Sequence, residues 1–370
     1  MKKSLFLSFI LALTTSLPLA AQWVHTPTPN DTLQPVRKLA NGNILFSIYA
    51  PKARDIKLLG DAANYNNEIT TRELPNGVWT FEVTNVPEGA LRYYFMVDGV
   101  ATADPLMEKQ YQQRMFNGFD KPSDFFGYRK DIPHGTISVL KYESKTLGCT
   151  RTIHVWTPAG YEKSKKKLPV LYLIHGGGDN DASWSGVGQA DNILDNLLAE
   201  GKMKEMIVVM PNGTIKTSDL AGEVPLFVED LKNDIVPFVE KTYNVYTDAA
   251  HRAIAGLSMG GWETLETAIK YYDMYQYIWV LSSGWFKTDK SKYELEAKHL
   301  KEIAPAFNKA VKQFVMTQGD PEDIAYYNGE ATRKLFEEAG IHPEWYSRPG
   351  GHTWYTWRWN LYQLAQRIFK

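Results

Sequence analysis

The stretch Arg252-Ala253-Ile254-Ala255-Gly256-Leu257-Ser258-Met259-Gly260-Gly261-Trp262-Glu263-Thr264-Leu265-Glu266-Thr267-Ala268-Ile269 decides the fold of this chain. Its first part is a short apolar run that reads as a buried strand, and its last part reads as a helix. Between them stands G-x-S-x-G, the sequence of a sharp strand-to-helix turn that exposes a serine hydroxyl at the carboxyl end of a sheet. The reversal is tight enough for side chains beside the serine to clash, so glycines flank it. The helix that begins there points its amino-terminal N–H groups at any negative charge developing beside Ser258.

A serine nucleophile needs a base, an acid that orients the base, and donors for an oxyanion. The runs Pro169 to Ile174, Met206 to Met210, Ala253 to Leu257, Tyr277 to Leu281 and Phe314 to Thr317 suit parallel strands buried on both faces. Ala190 to Leu198 and Val228 to Tyr243 read as helices between them. Ligands of such sheets gather at the carboxyl ends of the strands, and this sorts the histidines. His251 and His342 precede strands, so they lie at the wrong end. His299 sits in a charged helical stretch, and His25, His134 and His154 come before the α/β alternation. His352 follows Pro349-Gly350-Gly351 after the last strand and closes the order Ser, acid, His, so it is the expected base. Asp320, Glu322 and Asp323 all follow the strand Phe314 to Thr317, and position alone does not choose among them. His175-Gly176-Gly177-Gly178 ends another strand, where a turn poor in side chains aims a backbone N–H at the oxyanion. Met259, the residue after the serine, supplies the second. His175 reads as a shaping residue. No cluster of His, Cys and carboxylates has metal-ligand spacing, and no G-x-G-x-x-G or P-loop occurs, so neither metal nor cofactor is expected.

The chain has 370 residues and a formal net charge of -1, which argues against nucleic acid and anionic membrane surfaces as partners. Residues 1–21 read as an export signal, with Lys2 and Lys3 at the basic start, Leu5 to Leu13 as the apolar core and Ala20-Ala21 for cleavage. That run is too short to span a membrane, and no second one is found. Cys149 is the sole cysteine, so no internal disulfide can form. Periplasmic or secreted localisation follows as an expectation.

Before the α/β region, short strand-like runs at Ile44 to Tyr49, Ile56 to Leu59, Val78 to Val83 and Leu91 to Val97 alternate with turn signals such as Asn41-Gly42 and Asp98-Gly99. They predict a small β-sandwich within residues 22–107, with a lead-in over residues 22–37. Residues 108–135 read as a linker, and residues 136–370 as the α/β domain, opened by a hairpin of Thr136 to Tyr142 and Thr152 to Thr157.

Two resemblances follow. Phe46-Ser47-Ile48-Tyr49-Ala50-Pro51, Gly77-Val78-Trp79 and Tyr93 to Gly99 resemble early-set immunoglobulin-like modules such as carbohydrate-binding module family 48. His175 to Gly178, Ala190 to Gly201, Met206 to Gly213, Gly256 to Gly261 and Gly350-Gly351-His352 with Trp354 and Trp357-Arg358 resemble carbohydrate esterase family 1. That family includes feruloyl and acetylxylan esterases and is similar in fold to esterase D, enterochelin esterase and mycolyltransferases. The resemblance implies an α/β-hydrolase domain and a serine esterase of plant cell-wall polysaccharide. Feruloylated or acetylated xylan and its oligosaccharides would be the partners. It selects Asp323 as the acid, from Asp323-Ile324-Ala325-Tyr326, although the spacer after Gly319 is one residue longer than usual. Thr353 departs from the aspartate common after the histidine. Gly177 and Met259 would hold the oxyanion, and Trp285 would wall the slot for an aromatic acid, with core packing as its alternative. Feruloyl esterase is the expected activity. Acetylxylan esterase and enterochelin-type esterase are the near rivals, and a non-catalytic glycan-binding protein the distant one.

Overall fold

A computed structural model describes residues 26–370, apart from 61–62, 64–67, 87–89, 107–108, 111–112, 118–124, 216–219 and 286–289. The expected export signal lies outside these residues. No described helix is long and apolar enough to cross a membrane.

The first domain is a two-sheet sandwich. One sheet holds β1 (Val36–Lys38), β2 (Ile44–Tyr49), β5 (Val78–Val83) and β4 (Ile69–Glu73), in that order. The other runs β3 (Ile56–Gly60), β6 (Ala90–Val97), β9 (Gln113–Asn117), β8 (Lys109–Gln110), and β7 (Val100–Thr102) also pairs with β6. Period-two alternation sends Phe46, Phe81, Tyr93 and Phe95 into the core, each fully buried. Burial of a large side chain contributes roughly 1.5–3 kcal/mol, and no disulfide supplements it. Strand β4 gave no signal because Ile-Thr-Thr-Arg-Glu is almost wholly exposed and has no apolar alternation.

The expected linker over residues 108–135 is corrected. The edge of β6 would leave backbone groups unpaired, and β9 covers it with Leu91 opposite Phe116 and Arg92 opposite Met115. The sandwich therefore runs to residue 117 rather than 107. At the other end, Phe126 is buried with Trp156 in the second domain's core, and Asn196 Nδ2 donates to the carbonyls of Phe125 and Gly127.

The second domain is an eight-stranded sheet, β10-β11-β13-β12-β14-β15-β16-β17. The hairpin of β10 (Thr136–Ser144) and β11 (Cys149–Thr157) forms its antiparallel edge. The strands β12 (Val170–Ile174), β13 (Ile207–Pro211), β14 (Arg252–Leu257), β15 (Tyr277–Leu281), β16 (Gln313–Gln318) and β17 (Glu344–Ser347) are parallel. Strands β12 to β15 are buried at every position, as their continuous apolar runs require. Helices α1 (Ala190–Ala199), α2 (Leu220–Asp230), α3 (Val236–Thr242), α4 (Met259–Lys270), α5 (Lys290–Ala310), α6 (Tyr326–Glu338) and α7 (Trp354–Arg367) surround the sheet. The single helix expected over Val228 to Tyr243 is instead α2 and α3 joined by a π turn, Leu231–Ile235. Pro237 has no N–H for the preceding turn, and the widened turn absorbs the lost bond.

The chain leaves β12 for β13 on one side and returns to β14 on the other. Between β12 and β14 the order reverses, and the loops leaving their carboxyl ends diverge to open a crevice.

Candidate active site

Ser258 stands in that crevice, between the end of β14 and the first turn of α4. Its backbone has φ 52° and ψ -116°, a conformation that costs of order 1–3 kcal/mol for a residue with a Cβ. Two close approaches hold it there. A Cβ on Gly256 would lie 2.1 Å from the Gly260 carbonyl oxygen, and one on Gly260 would lie 2.3 Å from the His175 carbonyl oxygen. The strand, the helix and the loop after β12 thus meet backbone to backbone. Ser258 N–H donates to the Leu281 carbonyl at 2.9 Å, and Ser283 Oγ–H donates to the Ser258 carbonyl at 2.6 Å.

Ser258 Oγ lies 3.0 Å from His352 Nε2, and His352 Nδ1 lies 2.7 Å from Asp323 Oδ1. The loops after β14, β16 and β17 converge to make this chain. Gly350 and Gly351 have φ of 132° and 58°, which bends the last loop back over Ser258. Thr353, the residue sequence comparison left without a role, donates its hydroxyl to the Gly350 carbonyl at 2.7 Å and closes that bend. The His352 ring packs edge-to-face on Trp357, with centroids 5.0 Å apart.

The three carboxylates after β16 have separate surroundings. Asp323 is buried. Desolvation by itself would raise its pKa, but the hydrogen bond and charge of His352 and the N–H groups of Ala325 and Gly319 outweigh it and hold the carboxyl below its ordinary range. An ionised Asp323 accepts from Nδ1–H, which leaves Nε2 to accept the serine proton. Asp320 accepts from Gly350 N–H at 3.1 Å and braces the glycine bend. Glu322 is exposed and does not reach His352.

Gly177 and Met259 both line the space beside Ser258. His175 shapes the first of these loops: Nδ1–H donates to the Gly176 carbonyl at 2.8 Å, and Nε2 accepts from Gly213 N–H at 2.9 Å. Burial lowers its pKa, so it stays neutral and both nitrogens are engaged.

The adjoining cavity has a volume of about 280 Å³ and is lined by Gly177, Ser258, Met259, Trp262, Ser282, Ser283, Gly284, Ile324, Ala325, Asn328 and His352. Trp285 is not among them, which corrects its expected place as a pocket wall. It is 3% exposed, stacks on Phe336 at 5.5 Å, and donates its indole N–H to Glu266. Ser282 has φ 45° and the chain turns at that point, and Trp285 lies in the core against α6. Trp262, one helical turn past Ser258, takes the wall position, with its indole N–H also on Glu266 at 3.0 Å. Its place in the quoted stretch was the available signal: position i+4 from Ser258 lies on the same helix face.

Residues 144–368 match the Esterase family. The chain belongs to the Esterase family. Residues 33–111 match carbohydrate-binding module 48, the isoamylase N-terminal domain. An endo-1,4-beta-xylanase/feruloyl esterase of Xylanibacter ruminicola is 32% identical over 362 residues, 92% of this chain and 47% of the relative. The chain thus spans about half the length of that curated relative. A solved ferulic acid esterase is 27% identical, with a TM-score of 0.56 over 64% of this chain and 98% of its own. The enterobactin esterase of Shigella flexneri, at 16% identity, shares the two-domain fold with a TM-score of 0.65 over 90% of this chain and 94% of its own.

Proposed function

We propose that this esterase removes hydroxycinnamoyl groups from xylan outside the cytoplasm, with Ser258, His352 and Asp323 as its triad. The observation that carries the acyl preference is the cavity of about 280 Å³ beside Ser258, walled by Met259, Trp262, Ile324 and Ala325. An acetyl group would leave most of it empty. The names of the Xylanibacter ruminicola relative, an endo-1,4-beta-xylanase/feruloyl esterase, and of the 27% identical ferulic acid esterase support the same reading.

Ser258 Oγ attacks the ester carbonyl while His352 Nε2 takes its proton. The Gly177 and Met259 N–H groups receive the oxyanion, a contribution of several kcal/mol in such sites. Collapse of the tetrahedral intermediate expels the sugar alcohol, which takes the proton back from His352. Water, deprotonated by His352, then attacks the acyl-enzyme and frees the acid and Ser258. Asp323 stays ionised and stabilises the imidazolium.

Burying about 80 Å² of aromatic acyl surface at ~25 cal/mol per Å² gives about 2 kcal/mol, roughly thirtyfold in kcat/KM if realised in the transition state. The test is kcat/KM for methyl ferulate against a methyl ester of acetic acid, with Ser258→Ala as the inactive reference. A ferulate preference of tenfold or more is expected. Equal or faster acetyl turnover would replace the feruloyl reading with acetylxylan esterase. Activity above ~1% in Ser258→Ala would remove Ser258 from its role.

A further inference from the structure

The loop that carries Gly177 is tied to the other domain. On β6, Tyr93 and Phe95 face the sandwich core, so the alternation turns Arg92 and Tyr94 to the opposite face, the side on which β6 packs against α7. Arg92 Nη1 reaches Asp179 Oδ1 at 2.6 Å, with the two side chains 22% and 8% exposed. Asp179 closes the turn begun by Gly176: its own N–H donates to the Gly176 carbonyl at 3.2 Å, and Gly178 between them has φ 79°. The turn therefore has Gly177 and Gly178 at its centre, His175 holding the Gly176 carbonyl from one side, and Asp179 ending it on the other. A Cβ on Gly177 would stand 3.9 Å from Met259 Cβ, which places the turn against the first residue of α4.

We infer that Arg92 of the amino-terminal sandwich is a positioning residue for the ester hydrolysis proposed above: through Asp179 it fixes the turn that presents Gly177 N–H to the oxyanion. The inference rests on that reading of the site. Asp179 is a nearly buried carboxylate, and a charge so placed is costly unless paired. Removal of the guanidinium takes away a charge partner of Asp179, and the turn shifts with it. Donors to an oxyanion act through placement, where a displacement of about 1 Å costs on the order of 10²-fold. The contribution is made in the transition state, so kcat carries it and KM does not. It is also blind to the acyl group, since every ester passes through the same oxyanion.

The test uses the full chain carrying Arg92→Gln, Arg92→Lys, Asp179→Asn, or Arg92→Gln with Asp179→Asn. Each is assayed for kcat and KM on methyl ferulate and on p-nitrophenyl acetate, both free of sugar, alongside thermal midpoints. Arg92→Gln is expected to lower kcat ten- to a hundredfold on both esters with KM within twofold. Arg92→Lys should recover part of the loss, and the double variant should lose no more than the worse single one. Asp179→Asn keeps the question open to measurement if Arg92→Gln does not fold. A kcat within twofold of wild type in folded variants, even with a lowered midpoint, would make the pair a domain brace only and overturn the inference. So would a change confined to KM or to one ester. A wild-type chain inert toward both esters is a different result, and it would remove the esterase reading itself.

Discussion

Asp323 illustrates how a residue acquires a role from its surroundings. Three carboxylates leave β16 within four positions, yet one is buried against His352, one braces Gly350 and one is exposed. In the proposed triad the hydrogen bond to Nδ1 decides the tautomer that leaves Nε2 free to act as base. Asp323→Asn is therefore expected to reduce kcat by on the order of 10³–10⁴-fold. Asp320→Asn should cost far less, through the loosened glycine bend, and Glu322→Gln almost nothing. Rates of the three single variants on one soluble ester check this. A near-normal Asp323→Asn enzyme would contradict the assignment. Sequence position left three candidates, and the resemblance to carbohydrate esterase family 1 pointed to Asp323, the one that lies against His352, despite its longer spacer. Trp285 went the other way, because nothing local announces that the ring past the turn at Ser282 lies in the core.

At the scale of elements, the site depends on how closely β14 and α4 approach. Gly256 and Gly260 lie on the two arms of the elbow, and the contact between them is backbone on backbone. A methyl at Gly256 would meet the Gly260 carbonyl at 2.1 Å and Thr264 Oγ1 at 2.7 Å. Neither the strand nor the helix can move without shifting Ser258. Gly256→Ala is thus expected to lower stability by at least ~2 kcal/mol, the cost typical of forced overpacking. Urea unfolding checks it, through a reduced midpoint at an unchanged slope, and an unchanged midpoint would show that the two elements can separate. The elbow and the buried strands were legible because glycine spacing and apolar runs are local. Strand β4 and the joining of β9 to β6 were not, because pairing along an open edge needs no apolar pattern of its own.

The stability of the whole molecule carries the cost of buried polar groups without a hydrogen-bond partner, and one of them is a carboxyl. Glu263, one turn beyond Ser258 on α4, is fully buried, and neither carboxyl oxygen finds a hydrogen-bond partner among the described residues. Desolvation, with Glu223 facing it, raises its pKa well above the ordinary value, against the opposing pull of Arg151. The folded chain thus keeps a proton that the unfolded chain releases above about pH 4.3. In that window the native state binds more protons, so stability falls as pH rises from there toward the folded value. Glu263→Gln removes the titration. Its thermal midpoint is expected to change less between pH 5 and 8 than that of wild type, and to gain most at the upper end. Parallel midpoint curves for the two proteins would show that Glu263 is not the group responsible.

The sequence by itself determined what short-range rules govern. These are the elbow at Ser258, the buried runs of the parallel strands, the terminal glycine loop bearing His352, and two domains in the observed order. Such features are written in periods of two or 3.6 residues and in glycines whose neighbours lie within a few positions. Only the tertiary structure decided which carboxylate meets His352, which tryptophan walls the cavity, where the sandwich ends, and that Arg92 reaches Asp179 across 87 positions. Each of those is a meeting between residues distant in the chain, set by loop paths and sheet edges. No local propensity encodes which side chains such paths bring within hydrogen-bonding distance.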